Sequence, residues 1–336
     1  MRFQVIERAA GSAQRPLTPG QLDAICRRAF GERARVDSAV ELGDGTYNTT
    51  FRVVLETGEE LILRAAPEPA RQFRSERGFL RNEHAAMPYF APIAALLPRT
   101  LAVDFTHDLV GRDYVIQTVV PGISAPEGLA AYERPAWASF FRGLGEISRK
   151  IHAVRGPGFG PPAGPLAATW SQALGTQLDL IAADLDDVGL EAADVRALAA
   201  TARRRADLLD RIAEPRLLHG DLWTINVMIE PNTPEPVVSG LFDCDRTWWG
   251  DPESDWAIYR ALGKPGDVRN AFWDGYGPLV QDPAARWRRL FYEARNLATI
   301  RLERHRLGNA EGVAASYPEI TAVSRRLGEL EPAPGA

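Results

Sequence analysis

The chain has 336 residues, 45% of them hydrophobic and 25% charged, which suits a globular protein of roughly two domains whose core needs no covalent staples. A formal charge of −5 argues against a partner held by bulk positive charge, nucleic acid above all. Cys26 and Cys244 make neither a C-x-x-C pair nor a zinc spacing, no run approaches the ~18 apolar residues of a membrane span, and MRFQVIERAAGSAQRP lacks the apolar core of a signal peptide; the expectation is a reduced, cytoplasmic protein that meets no membrane.

Thr18-Pro19 predicts a helix start, with Leu22, Ile25, Cys26 and Ala29 on one face. RVDSAVEL, TTFRVVLE and EELILRAAP are short, β-branched and separated by glycine-bearing turns, so they read as consecutive antiparallel strands, with Thr57-Gly58 turning the last pair. Residues 71–90 read as helix, and RTLAVDF and RDYVIQTVV as two further strands. Pro121-Gly122 ends the second and marks a hinge. From about residue 130 helical patterns dominate: 132–153, 167–184, 191–213, 253–262, 267–276 and 285–307, the last with Leu290, Phe291, Ala294, Leu297 and Ala298 as its stripe. The fold class is therefore α+β. A β-rich lobe over 1–120 precedes a helical lobe over 121–330, and the tail 331–336 reads as disordered.

One polar stretch interrupts the helical half. In LLHGDLWTINVM, residues 217–228, His219, Asp221 and Asn226 are spaced H-x-D-x-x-x-x-N between apolar flanks. The strand PVVSGLFD follows and ends on Asp243. Phosphoryl transfer needs a carboxylate to orient a hydroxyl, oxygen ligands for Mg²⁺, and a cation on the nucleotide. Asp221, Asn226 and Asp243 supply the first two needs, and a strand end is a rigid place for the second carboxylate.

LLHGDLWTINVMIE and GLFDCDRTWWGDPESDWA together resemble the aminoglycoside phosphotransferase family, which has the protein-kinase-like two-lobed fold and is related to fructosamine and choline kinases. LGDGTYNTTFRVVLETGEELILRAAP is similar to the family's glycine loop and strand pair, YVIQTVVPG to its hinge, and LGEISRKIHAVRGPGFG to the helix that follows; the likeness runs over about residues 35–305. The resemblance implies that Asp221 is the catalytic carboxylate and that Asn226 and Asp243 bind Mg²⁺. It also implies that His219 and Asp255 support the loop, that Glu83 pairs with a strand cation, and that the backbone of Thr118 and Val120 holds the base of ATP or GTP.

The pattern departs from the family at that cation. The strand LILRAAP carries Arg64 where a lysine is expected, and the first 149 residues contain no lysine. Arginine stays charged and forks onto two acceptors, so it can serve, but it is not interchangeable with lysine. GDGTYN offers only Gly43 and Gly45, with Asn48 shaping the turn; their place ahead of Arg64 favours a phosphate cover over a plain hairpin. His84, His107, His152 and His305 are scattered and read as structural or surface residues. Trp248 and Trp249 fit substrate stacking or packing equally, while Asp184, Asp186 and Asp187 read as a solvated face rather than a cation site.

The implied activity is transfer of the γ-phosphate of ATP or GTP to a hydroxyl of a sugar-bearing compound, an antibiotic being the leading candidate, with resistance or self-protection as its outcome. The alternatives are a metabolic kinase acting on fructosamine, a sugar, homoserine or choline, and a nucleotide-binding pseudokinase, for which Arg64 speaks. A protein kinase is disfavoured by the lack of an A-P-E segment.

Overall fold

The computed structural model describes residues 1–8, 12–43, 45–263 and 268–330; the expected tail 331–336 lies outside them. Helix α1 (Pro19–Phe30) starts as expected: Thr18 and Gln21 form a reciprocal capping box, and Leu22, Ile25 and Cys26 are buried. Strands β2 (Val36–Leu42), β3 (Thr49–Leu55), β4 (Glu60–Ala65), β5 (Thr100–Asp104) and β6 (Tyr114–Thr118) pair antiparallel, in the order β2-β3-β4-β6-β5. A short β1 (Arg2–Gln4), invisible in the sequence pattern, adds to β2 in parallel.

The period of two along β4 places Arg64. Leu61 and Leu63 point to the apolar cluster under α1, together with Phe51, Val53 and Ile116. Arg64 therefore faces the other side of the sheet, which is covered by helix α2 (Phe79–Ala86). The expected helix over 71–90 is mostly not α: residues 69–71 and 74–76 are single 3₁₀ turns, and 87–96 is 3₁₀ and kinked near Ile93. Pro69, Pro88 and Pro92 remove amide donors that a continuous helix would need.

The second lobe begins with β7 (Ile123–Ser124), α3 (Ala125–Leu129), α4 (Trp137–His152), α5 (Trp170–Asp187), α6 (Ala193–Arg204) and α7 (Ala206–Leu209). The expected helix 191–213 is broken at Arg205, where the backbone leaves helical angles. Short strands β8 (Arg216–Leu218), β9 (Val227–Ile229), β10 (Val238–Leu241) and β11 (Trp248–Gly250) frame the polar loop: β9 pairs β10 and β7, and β8 pairs β11. Helices α8 (Trp256–Leu262), α9 (Ala271–Tyr276), α10 (Pro283–Arg306) and α11 (Ala310–Glu329) complete it. The sequence reading missed α11; its buried Val313, Ser316, Ile320, Val323 and Leu327 recur every three or four residues, but Gly312 and Pro318 mask the run.

Two apolar clusters fill this lobe. One packs Trp170, Leu174 and Leu178 of α5 against Trp287 and Phe291 of α10, and the other, with Phe140, Ile147, Leu222, Leu241 and Ile258, underlies the polar loop. Among the described residues no helix is long and apolar enough to cross a membrane.

Candidate active site

The loop between β8 and β9 is held from beneath by backbone and buried side chains. Asp255 Oδ2 accepts from the His219 amide (2.9 Å) and its Oδ1 from the Gly220 amide (3.0 Å). His152 Nε2 lies 2.9 Å from Asp255 Oδ2, and His152 Nδ1 lies 2.9 Å from the Tyr276 hydroxyl. Burial works against the charge of Asp255, but the hydrogen bond from His152, with that from the His219 amide, holds the carboxyl below its ordinary range. Gly220 adopts φ +83°, and a Cβ there would lie 2.0 Å from the Arg246 carbonyl oxygen, so the H-G-D turn requires glycine.

His219 is fully buried beneath the loop. Burial lowers its pKa and keeps it neutral, its Nδ1 accepts from the Asp221 amide (3.4 Å), and Cys244 Sγ lies 3.5 Å from its Nε2. Asp221 itself reaches the cleft, its side chain 23% exposed. Asn226 Nδ2 donates to the Asp221 carbonyl (2.8 Å) and to its Oδ2 (3.2 Å), which turns the amide oxygen of Asn226 away from Asp221. Desolvation, helped by Asp243 and Glu303, pushes the Asp221 carboxyl up to about 7, although Arg246, 4.0 Å away, pulls the other way. A carboxylate poised near neutrality is suited to receive a proton.

The second half of the site is a saturated charge cluster. Asp243, two residues beyond β10, has φ +65°, a left-handed backbone that re-aims its side chain. Arg64 forks: Nη1 donates to Glu83 Oε2 (2.5 Å), while Nη2 bonds Asp243 and donates to Asp245 Oδ2 (3.2 Å). Burial opposes the guanidinium charge, but Glu83, Asp243 and Asp245 outweigh it and hold Arg64 protonated. Gln117 Nε2, on the same face of the sheet, donates to Glu83 Oε1 (2.6 Å). Asp245 is driven well above the usual carboxylate range by burial and then by the like charge of Asp243. The carboxylates of Glu83, Asp243 and Asp245 lie within 4.8 Å of one another. All are hard oxygen donors, as is the Asn226 amide, and β10 abuts the Asn226 loop where the Phe242 amide donates to the Asn226 carbonyl (3.2 Å). This chemistry fits Mg²⁺.

The glycine loop approaches the same cluster. Asn48 Nδ2 donates to Asp245 Oδ2 (3.1 Å), and Gln14 Nε2 pins the carbonyls of Gly45 (3.1 Å) and Asn48 (2.8 Å). Gly43 and Gly45 are exposed, and a Cβ at Gly45 would meet only Asn48 O, at 3.8 Å. Packing among the described residues therefore does not demand glycine at 45. Thr118 ends β6, its amide bonded to Arg99 O (3.0 Å), and Val120 packs on Gly240 of β10.

The structure thus brings Arg64, Glu83, Asn48 and Asp243 together, and Asp221, Asn226, His219 and Asp255 together, with Thr118 and Val120 at the crossing between lobes. Sequence reasoning missed Asp245, Asn82, Gln117 and Arg246, and read His152 only as a structural or surface residue, without its bond to Asp255. Asp245 stands two residues after Asp243 and could have been noticed. Asn82, whose Nδ2 donates to the carbonyls of Asp245 (2.9 Å) and Thr247 (2.8 Å), carries no signal in the sequence. Trp249 is 1% exposed, stacked edge-on against Tyr89, and Trp248 lies against Trp170, so both tryptophans pack rather than line the cleft. Asp184 is buried and accepts from the amides of Arg74 (2.7 Å) and Ser75 (2.9 Å), tying the lobes together; Asp186 and Asp187 are exposed and pair with Arg196 and Arg74.

Comparison with known proteins agrees with this architecture. A profile of the phosphotransferase enzyme family (APH) matches residues 38–291, and the chain belongs to that family. Its fold is shared with the GDP and kanamycin complex of APH(2")-IIIa (17% identity, TM-score 0.60, 90% of this chain and 98% of that one). The crystal structure of aminoglycoside phosphotransferase APH(4)-Ia is similar at 18% identity and TM-score 0.60 (92% and 99% covered). A proposed fructosamine-3-kinase from Thermobifida fusca matches at 20% identity and TM-score 0.58 (90% and 99% covered). In sequence the chain is 36% identical over 113 residues to a "probable ketoamine kinase" of Klebsiella aerogenes, a match that spans about one third of each protein.

Proposed function

We propose that the protein is a nucleotide-dependent small-molecule O-phosphotransferase that moves the γ-phosphoryl group of ATP or GTP to an acceptor hydroxyl. The observation that carries this reading is the pairing of a near-neutral carboxyl, Asp221, with the adjoining oxygen-donor cluster of Asp243 and Asn226. Asp221 orients the acceptor hydroxyl and takes its proton as the new O–P bond forms and the bond to the β-phosphate oxygen breaks. Asn226 and Asp243 would hold Mg²⁺, which supplies charge neutralisation at the phosphates. Arg64, kept charged by Glu83, contacts the phosphates; the exposed backbone at Gly43 and Gly45 covers them, and Thr118 and Val120 border the base. Asp255, His152 and neutral His219 hold Asp221 in place, so catalysis comes mainly from positioning and fixed charge.

The family and the ketoamine kinase match support an acceptor bearing sugar hydroxyls; an antibiotic acceptor rests on the fold neighbours. The test is mass spectrometry of acceptors incubated with Mg²⁺ and ATP or GTP, with Asp221→Asn as control. The panel holds fructosamines, aminoglycosides, nucleoside antibiotics and choline. A product heavier by one phosphate with the wild type alone is the expected result. Nucleotide binding with no transfer to any acceptor, and turnover indifferent to Asp221→Asn, would instead favour the pseudokinase reading, for which the self-saturated Arg64 cluster speaks.

A further inference from the structure

Helix α2 is seated on both lobes at once, through two adjoining stripes of its surface. At 3.6 residues per turn, positions 80 and 83 share one stripe and positions 79, 82 and 86 the next. The first stripe meets the sheet: Leu80 packs with Ala66 and Val115, and Glu83 accepts from Arg64 of β4 and Gln117 of β6. The second meets the helical lobe: the Arg246 guanidinium lies 5.1 Å from the Phe79 ring centroid, and Ala86 joins the apolar cluster beneath the polar loop. Between Phe79 and Ala86 on that stripe stands Asn82.

Asn82 is 5% exposed, and its amide is directed at main-chain groups of the helical lobe. Nδ2 donates to the carbonyls of Asp245 (2.9 Å) and Thr247 (2.8 Å), and Oδ1 accepts from the Ala163 amide (3.1 Å). Both amide hydrogens are thereby used, each on its own carbonyl. Those carbonyls belong to the stretch that follows Asp243, where Cys244–Arg246 form a 3₁₀ turn and Thr247 Oγ1 donates to the Cys244 carbonyl (2.6 Å). Ala163 lies in the Gly/Pro loop between α4 and α5. One side chain thus ties α2 to two separate loops. Aspartate, of the same shape, has no donor for the two carbonyls when ionised, and leucine has neither donor nor acceptor. Glu83 is the next residue, so a shift or rotation of α2 takes Glu83 off Arg64, and Arg64 is the link from Glu83 to Asp243 and Asp245.

We propose that Asn82 is a positioning residue of the donor half: by locking α2 to the turn after Asp243, it fixes the place at which Glu83, Arg64 and Asp243 meet. The inference rests on the phosphotransferase reading only in naming that cluster as the site of the nucleotide phosphates.

The experiment compares three variants. Asn82→Asp keeps the shape and the oxygen facing Ala163 but sets an acceptor against the two carbonyls, and Asn82→Ala removes the bracket outright. Leu80→Ala strips apolar packing from the other stripe and controls for general loosening of the helix. Affinity for mant-ADP and mant-GDP with Mg²⁺ is read by fluorescence at a temperature where circular dichroism shows each variant folded. Both Asn82 variants are expected to lose about tenfold in affinity for the nucleotide that the wild type binds, and Leu80→Ala less than about twofold. Wild-type affinity in the folded Asn82 variants, or an equal loss in Leu80→Ala, would overturn the inference. Hydrogen exchange on the wild type needs no variant: the amides of 79–86 and 244–247 should be protected to the same degree, because opening one releases the other. An α2 that opens while 244–247 stays closed would overturn it equally. Failure of the phosphotransferase reading appears elsewhere, as a wild type that binds neither nucleotide or lacks Asp221-dependent transfer, and the exchange pattern still decides the bracket.

Discussion

The two halves of the site are held in opposite ways. The donor side is fixed by charge: one buried guanidinium, Arg64, answers three carboxylates, and removing it leaves all three crowded together uncompensated. The loop side is fixed by backbone: Asp255 accepts two main-chain amides, Gly220 takes a turn closed to other residues, and neutral His219 fills the space beneath. The contrast suits the work proposed for each. A phosphate-binding cluster can exchange one set of charged partners for another when nucleotide enters, whereas a carboxylate that must meet one hydroxyl needs a rigid base.

The largest effect is expected where the backbone brace is cut. Asp255→Ala leaves three donors, two of them buried, without an acceptor and should destabilise the fold by about 3–5 kcal/mol, read by urea unfolding. Its nucleotide affinity, measured where the variant is still folded, should change less than its turnover. If both fall together, the two halves are not separable.

On the donor side, Arg64→Lys keeps the charge but gives up the fork that reaches Glu83 and the Asp243–Asp245 pair at once. Nucleotide affinity should fall about tenfold by titration, with stability nearly retained. An unchanged affinity would mean that charge alone, not geometry, is what this position supplies.

The two sides of the loop should also answer to pH in opposite directions. Asp221 is raised in the folded state, so its contribution is full below the unfolded carboxyl range and is lost as pH climbs through about 7. Asp255 is lowered, so its contribution is present above the unfolded carboxyl range and is lost in acid. Chelator-treated protein unfolded at a series of pH values should therefore lose stability between about pH 4 and 7 through Asp221, and Asp221→Asn should flatten that slope. A slope untouched by the substitution would place the titration elsewhere, Asp245 first.

The smallest effect belongs to the contact between the glycine loop and α10. Thr46→Val removes a single exposed hydrogen bond to Glu303 and should shift stability by no more than about 0.5 kcal/mol. A clear change in the nucleotide off-rate by stopped flow, with stability held, would show that this contact governs loop opening.

Much of this was legible in the chain itself, for a physical reason. Strands β2 to β6 and helix α1 follow from residue periodicity and turn chemistry, which act over a few residues. The order His219, Asp221, Asn226, Asp243, Asp255 is a linear pattern whose spacing is set by one loop and one hairpin. What packing alone decided involves partners far apart in sequence. Asn48 and Asp245, 197 residues apart, meet because the glycine loop folds onto the second lobe. His152 reaches Asp255 across 103 residues because α4 runs beneath the loop. Trp249 became core and Asp184 an interlobe bracket for the same reason: which face of a short element is buried depends on what is laid against it. The expected helix over 71–90 failed and α11 went unseen because prolines disrupt the first and disguise the second, and only tertiary contacts decide whether a proline ends a helix or is carried within it.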